Sequence, residues 1–335
     1  MWFRKTGNWQ LAIGNVTVAN PFSKLVHPWY PATAVGLEKG FASMVQLERA
    51  RGNAYDLRRA ATVELPDEVV HPSFDSQNIS DATALAMALS DLASSAGLVK
   101  QKRWSVSLPE AATRTLILIM EAQAGSNSEL EEMLNWKMER GFNSPLDELS
   151  ISRERLPKDS QGRDRYIAMA IKHSVRDEYE SVFNALGWRI GLLLPRHLGE
   201  AQWLMQNGRA GDGLLLSFSE HGFTAAVFRD KQPLILRTIS CDPDECEDEL
   251  YRLLLFYRDR RSTQTEDASG AVSLSRLMVV GEGFTKERAS EIVNETLGAN
   301  LRVLDPADIG LQLPRGRLDF DLIAAPAGLA TLSGK

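Results

Sequence analysis

The stretch AVGLEKGFASMVQLE, residues 34–48, decides the fold. It reads as a strand, a turn at Gly40 and a second strand. A third strand is predicted over residues 55–65, YDLRRAATVEL, joined through the hairpin turn Arg51-Gly52-Asn53. The same order returns much later in the chain. Residues 214–218 read as a strand, Glu220-His221-Gly222 as a turn, and residues 223–229 and 233–239 as two further strands. A three-strand unit met twice is what an internal duplication leaves behind.

Bulk properties agree with two lobes. The chain has 335 residues, more than one hydrophobic core usually serves. With 44% hydrophobic and 24% charged residues it reads as an ordinary soluble globular chain. A net charge of −6 argues against broad attraction to nucleic acid or anionic lipid. Cys241 and Cys246 lack a second ligand pair for zinc and require no disulfide, which suits a reducing cytoplasm. The apolar run at 116–120 is too short to span a bilayer. The start, MWFRKTGNWQ, has basic residues without an apolar run behind them, so it does not read as a signal peptide. Residues 1–31, broken by Pro21, Pro28 and Pro31, read as an irregular arm.

Between the repeated units lie a helix over residues 80–96, a strand over 104–108 and an apolar strand over 113–122. The most distinctive segment follows: SELEEMLNWKMERGFNSPLDEL, residues 128–149. Ser128 and Glu131 have capping-box spacing. Leu130, Met133, Leu134 and Met138 fall on one helical face, with Trp136 at its edge. Gly141 is expected to stop the helix, and Pro145 to hold the tail extended. Strands at 149–155 and 166–171 and a helix at 174–186 complete this middle region. After the second repeat come a helix over 244–260, a loop over 261–270 and a strand over 276–280. Gly281-Glu282-Gly283 then turns into a helix capped by Thr285, followed by a strand at 301–304 and a helix at 321–332 kinked at Pro326.

An amphipathic helix with an acidic start and a Trp, followed by an aromatic residue, Pro, Leu and paired acids, resembles a signature of the PilM proteins. These are actin-like cytoplasmic components of type IV pilus assembly. The first hairpin is similar to the family's VGLDIGSSSVKVVEL. Val35, Gly36, Leu37, Gly40, Ser43 and Glu48 match in register, while Glu38, Phe41, Ala42 and Val45 depart from it. The order and spacing of elements extend the resemblance from about residue 34 to the C-terminus. It implies an α/β chain with a two-lobed actin-like ATPase (ribonuclease H-like) fold and a small inserted α+β subdomain. The expected division is an irregular arm at 1–31, a first lobe at 32–104 and 189–210, an insertion at 105–188 and a second lobe at 211–335.

The resemblance also implies a function. Such a chain is a cytoplasmic scaffold of the pilus machine, held beside the inner membrane by its partner. That partner is the cytoplasmic N-terminal tail of a PilN-like membrane protein, captured in a groove beside the insertion. Trp136, Phe142, Pro145 and Leu146 are the expected groove residues. Other pilus components are expected partners, and self-association stays open.

Actin-like hairpins bind ATP by aiming backbone N–H groups of glycine and serine turns at phosphates, with an acid holding Mg²⁺ through water. The residues positioned for that role are Glu38, Lys39, Gly40, Ser43, Gly281 and Gly283. Several residues oppose it. Phe41 is bulky where phosphate must approach, the Asp-x-Gly of the second hairpin is replaced by Ser217 and Ser219, and Glu220 sets a negative charge beside the phosphate path. A vestigial cleft without catalytic or metal-binding residues is therefore expected, its two hairpins facing each other from separate lobes. The rivals are an active ATPase or kinase of the same superfamily and the related cytoplasmic component of type II secretion. Other chemistries find little support. The five histidines are scattered, with His221 read as a solvated turn residue, and neither a Gly-x-Ser-x-Gly elbow nor a P-loop occurs. The acidic cluster at 242–249 lacks EF-hand spacing and reads as a solvated helix start.

Overall fold

The computed structural model describes residues 30–121, 124–206, 211–229, 231–264, 274–314 and 318–333. Nearly all of the expected N-terminal arm, and residues 265–270 of the expected loop, lie outside the described residues.

The first unit opens with β1 (Thr33–Leu37), β2 (Phe41–Arg49) and β3 (Tyr55–Glu64), paired antiparallel in that order. Helix α1 (Ala82–Ser95) follows, capped by Asp81, whose side chain accepts from the N–H groups of Thr83 and Ala84. Strand β4 (Arg103–Leu108) then lies parallel to β1.

The chain next leaves this sheet for the insertion: β5 (Arg114–Ile119), α2 (Asn127–Phe142), β6 (Leu149–Leu156) and β7 (Arg165–Lys172). Its strands form an antiparallel sheet in the order β5-β7-β6. Helix α2 lays Leu134, Met138 and Phe142 on this sheet, in one core with Leu118, Leu149 and Ala168. The helix begins one box earlier than expected. The Ser126 hydroxyl accepts from the Glu129 N–H at 3.2 Å, and the Glu129 carboxylate accepts from the Gly125 N–H at 2.6 Å. Two Ser-x-x-Glu boxes overlap in this sequence, and the upstream one satisfies the first free donors of the helix. Gly141 does not end it. A Cβ there would come within 2.4 Å of Leu116 Cδ1, so this glycine lets α2 approach β5. Asn143, in the left-handed conformation at φ 51°, makes the end.

Helix α3 (His173–Ala185) and strand β8 (Arg189–Pro195) return to the first sheet, where β8 runs parallel to β4. Val175, Tyr179, Val182 and Phe183 of α3 share a core with Leu85, Leu89 and Leu92 of α1. The insertion is thus narrower than the expected 105–188: β4 belongs to the first sheet, and the apolar face of α3 is buried beside it. Helix α4 (Arg196–Gln206) closes this half.

The second unit repeats the first. Strands β9 (Asp212–Ser219), β10 (Gly222–Arg229) and β11 (Gln232–Ser240) pair antiparallel. After α5 (Cys246–Gln264), strand β12 (Leu274–Val280) lies parallel to β9. Helix α6 (Lys286–Leu297) is capped by Thr285, as expected. In place of a strand at 301–304, Val303 makes a single parallel bridge to Leu277.

The C-terminal segment departs from the expected division. Strand β13 (Leu311–Gln312) pairs parallel with β3 at the far edge of the first sheet, and α7 (Phe320–Ala330) packs against β1 and β2. Residues 311–330 therefore belong with the first lobe, not with the second. Helix α7 is apolar nearly all round, so it needs partners on more than one side. It finds the sheet on one side and α4 on another. A Cβ on Gly328 would stand 1.9 Å from the Gly199 carbonyl oxygen, so only paired glycines permit this crossing. The buried Trp203 indole N–H donates to the Ala324 carbonyl at 2.8 Å. The α4–α7 pair joins both sheets in one core, with Ala34 and Val45 from the first and Leu215 and Met278 from the second.

Candidate functional site

The turn of the first hairpin, Glu38-Lys39-Gly40, and that of the second, Glu220-His221-Gly222, lie on opposite sides of a cleft of about 540 Å³. Gly281 and Gly283, after β12, line it as well. Gly281 has φ 102°, and a Cβ on it would meet the Phe218 carbonyl oxygen at 2.1 Å, so the position admits only glycine.

A charged cluster forms the floor. Arg196, the first residue of α4, is buried; its Nε donates to Glu200 Oε1 at 2.6 Å, one helical turn on. Its Nη1 lies 3.7 Å from Glu38 Oε2. The Glu38 carboxyl is raised to about 7, chiefly by burial against the opposing pull of Arg196, with Glu200 and Glu110 adding to the rise. Burial works against the charge on Arg196, but Glu200 and Glu38 outweigh it and hold the guanidinium above its ordinary range.

The next residue, His197, binds Glu110 through Nδ1 at 2.6 Å. Glu110 Oε1 accepts from the hydroxyls of Thr224 on β10 and Thr238 on β11, at 2.9 and 3.3 Å. Burial alone would raise the Glu110 carboxyl, yet His197 and the two threonines hold it below the usual carboxylate range. A partly buried acid of the first lobe is thus anchored in the sheet of the second. Two further contacts cross the cleft. Lys39 Nζ meets both oxygens of Glu220, at 2.7 and 2.8 Å, and Lys286 meets Asp321 at 2.8 Å.

Of the residues expected to hold nucleotide, Glu38, Lys39, Gly281 and Gly283 line the cleft. Gly40, at φ 81°, shapes the turn without lining it. Ser43 does not belong to this cleft. It pairs with Gly36 across β1 and β2, is fully buried, and faces a separate void of about 10 Å³ against Pro326. Two residues beyond the turn, the strand has already carried its side chain beneath the sheet surface. Phe41 does border the cleft. Ser217 is buried in β9, and the Ser219 hydroxyl donates to the Gly222 carbonyl of its own hairpin at 3.3 Å. Glu220 does not stand as an unanswered negative charge, because Lys39 meets it. His221 is 75% exposed by side chain, the solvated turn residue expected. Among the described residues, no group of three His, Cys, Asp or Glu side chains is placed to hold a metal ion.

Glu110, Arg196, His197 and Glu200 went unmarked in the sequence. The i,i+4 pair within RHLGE was the one local signal, since an ion pair there opens a helix that is otherwise buried. Nothing near Glu110 announces a partner 87 residues away.

The expected groove residues separate. Phe142 is fully buried in the insertion core and cannot line a groove, because the helix runs one residue past Gly141 and carries Phe142 onto its packed face. Trp136 is 58% exposed, with the Arg140 guanidinium 5.5 Å from its ring centre. Pro145 is exposed and Leu146 half-buried beside α2. Among the described residues, no helix is long and apolar enough to cross a membrane.

Two copies of one strand-and-helix topology, closing on a cleft between their first hairpins, define the actin-like class of fold. A chain of a solved PilM–PilN type IV pilus biogenesis complex has a similar structure. Its TM-score is 0.63 at 15% identity, over 91% of this chain and 98% of that one. A Bacteroides thetaiotaomicron protein of actin-like ATPase fold and unknown function gives 0.49 at 10% identity, over 87% and 93%. The cytoplasmic domain of EpsL, an inner membrane component of the Vibrio cholerae type II secretion system, gives 0.40 at 13%, over 82% and 98%. No protein-family model matches the chain, and no curated protein matches it in sequence.

Proposed function

We propose that this chain is a scaffold component of a type IV pilus assembly machine that binds the N-terminal tail of a PilN-like membrane protein and does not turn over nucleotide. The observation that carries the reading is the end-to-end likeness to a chain of the PilM–PilN complex, which includes the insertion as well as both lobes. The chemistry of the cleft supports the second part. Of the acids in the two hairpin turns, Glu38 lies 3.7 Å from Arg196 and Glu220 pairs with Lys39, and serines stand where a second strand-end acid is needed. The Lys39–Glu220 pair bridges the two hairpin turns at the cleft. This donor set does not suit Mg²⁺-ATP, so no step is assigned to it. Lys39, Glu110 and Lys286 instead tie the lobes together with the protein's own groups.

For the partner, α2 offers an exposed Trp136 and is followed by a turn carrying Pro145 and Leu146. β6 runs along one edge of the insertion sheet, and an extended tail added beside such an edge satisfies its own backbone. A large, solvent-exposed aromatic side chain is the usual anchor of an interface. The test is titration of the protein with a synthetic PilN-like N-terminal peptide. Specific binding is expected, weakened about tenfold or more in a Trp136→Ala protein that keeps its circular dichroism. Equal affinity in the variant removes Trp136 from the site; absence of binding by the wild type contradicts the reading.

A further inference from the structure

The two cysteines meet at the rim of the cleft, on the side of the second hairpin. Cys241 follows β11 directly, and its N–H donates to the His221 carbonyl at 3.3 Å. Cys246 opens α5, is buried, and lines the cleft together with Pro243. Their Sγ atoms stand 3.0 Å apart, and both thiols are free. We propose that Cys241 and Cys246 form a reversible dithiol–disulfide pair that fastens the second hairpin turn to the start of α5.

The geometry favours bond formation within one chain. A disulfide of about 2.05 Å requires the sulfurs to close by only roughly 1 Å. The two sulfurs are not equivalent. Cys246 is the first residue of α5 and is buried, whereas Cys241 is partly exposed. Burial pushes the Cys241 thiol up to about 12, with the hydrogen bond and charge of Cys246 adding to it, so Cys241 keeps its proton. Cys246, which lines the cleft through which an oxidant arrives, is the attacking sulfur and Cys241 the resolving one.

With hydrogen peroxide as oxidant the step balances. The Cys246 sulfur attacks one peroxide oxygen, the O–O bond breaks, and the other oxygen leaves as water once protonated; Cys246 becomes a sulfenic acid. The Cys241 sulfur then attacks the Cys246 sulfur. The S–S bond forms, the S–O bond breaks, and a second water carries away the hydroxyl with the Cys241 proton. Two thiols lose two electrons, and one peroxide becomes two waters. Glu245 and Glu249 stand near Cys241, and Asp242 and Glu247 flank the pair in sequence, so an uncharged oxidant is the suitable class and anionic ones are repelled. In a reducing compartment the resting form is the dithiol, and the disulfide is a transient response to oxidant.

The full chain is titrated with hydrogen peroxide, alkylated, and weighed by mass spectrometry. In the wild type both thiols are expected to vanish together, in a monomer lighter by two hydrogen atoms, and to return with dithiothreitol. The Cys241→Ser protein is expected to stop at a sulfenic acid on Cys246 that dimedone traps. Hydrogen exchange on the wild type, read at residues 220–222, is expected to slow on oxidation. Thiols that alkylate independently at every peroxide concentration, or oxidation that yields only cross-linked dimers, would overturn the proposal.

Discussion

The two hairpins share a topology but treat their acids in opposite ways. In the first, Glu38 follows β1 and, with 14% of its side chain exposed to the cleft, lies beside Arg196, which in turn leans on Glu200. In the second, the corresponding strand end holds Ser217 and Ser219, and the acid has moved into the exposed turn as Glu220. A buried acid needs a dedicated counter-charge, because an unpaired ion inside a protein costs several kcal/mol. An exposed acid needs little, and Glu220 simply shares a solvated pair with Lys39. Duplicated backbone therefore preserves a cleft without preserving its electrostatics. What binds the lobes across that cleft is a set of direct contacts at three depths: Glu110 with Thr224 and Thr238 beneath, Lys286 with Asp321 at the side, Lys39 with Glu220 above.

The difference between the hairpins can be broken first at Arg196. An Arg196→Met protein leaves the buried Glu200 and the partly buried Glu38 without their cation, and about 3–5 kcal/mol of stability is expected to go. Urea denaturation at pH 8 measures it. The loss should shrink at pH 5, where Glu38 is protonated. A loss under about 1 kcal/mol at pH 8 would mean that the floor is not held together by charge.

The next effect is the pH profile. Glu38 titrates at about 7 in the folded chain against an ordinary value of 4.5, so the folded state binds its proton more tightly. Its contribution is full below about 4.5 and is lost as pH rises through 7. Stability of the wild type relative to Glu38→Gln should fall by on the order of 2–3 kcal/mol across that window. Asp321, also raised chiefly by burial, slopes the same way in both proteins and cancels in the difference. A flat difference from pH 4 to 8 would show that Glu38 is not buried as described. The smallest effect belongs to the second hairpin. Lys39→Ala and Glu220→Gln should each leave the thermal midpoint unchanged within error, since exposed pairs contribute little and are screened by salt. A drop of several degrees in either would show that this exposed pair contributes to stability as a buried one does.

Strand order was readable because turns and apolar runs are local: Arg51-Gly52-Asn53 and Glu220-His221-Gly222 both sit where hairpins turn. The ends of α2 were not, because two Ser-x-x-Glu boxes overlap and because Gly141 serves packing against Leu116 instead of termination. The return of residues 311–330 to the first sheet depends on Gly199 meeting Gly328, a contact 129 positions apart in the chain. The same holds for the site. Glu38, Lys39, Gly281 and Gly283 could be located by motif, whereas the Glu110–His197 pair and the counter-charge role of Arg196 exist only once the sheets are stacked.

The cleft itself offers the most direct measurement: isothermal calorimetry with Mg²⁺-ATP on the purified chain. Two or three lost charge-assisted contacts, at about 1.5–3 kcal/mol each, move a micromolar site to the millimolar range. The account predicts no resolvable heat at micromolar protein and no release of phosphate on incubation. A low-micromolar dissociation constant that disappears in Glu38→Ala would contradict it, because it would show that the first hairpin binds nucleotide despite the serines opposite.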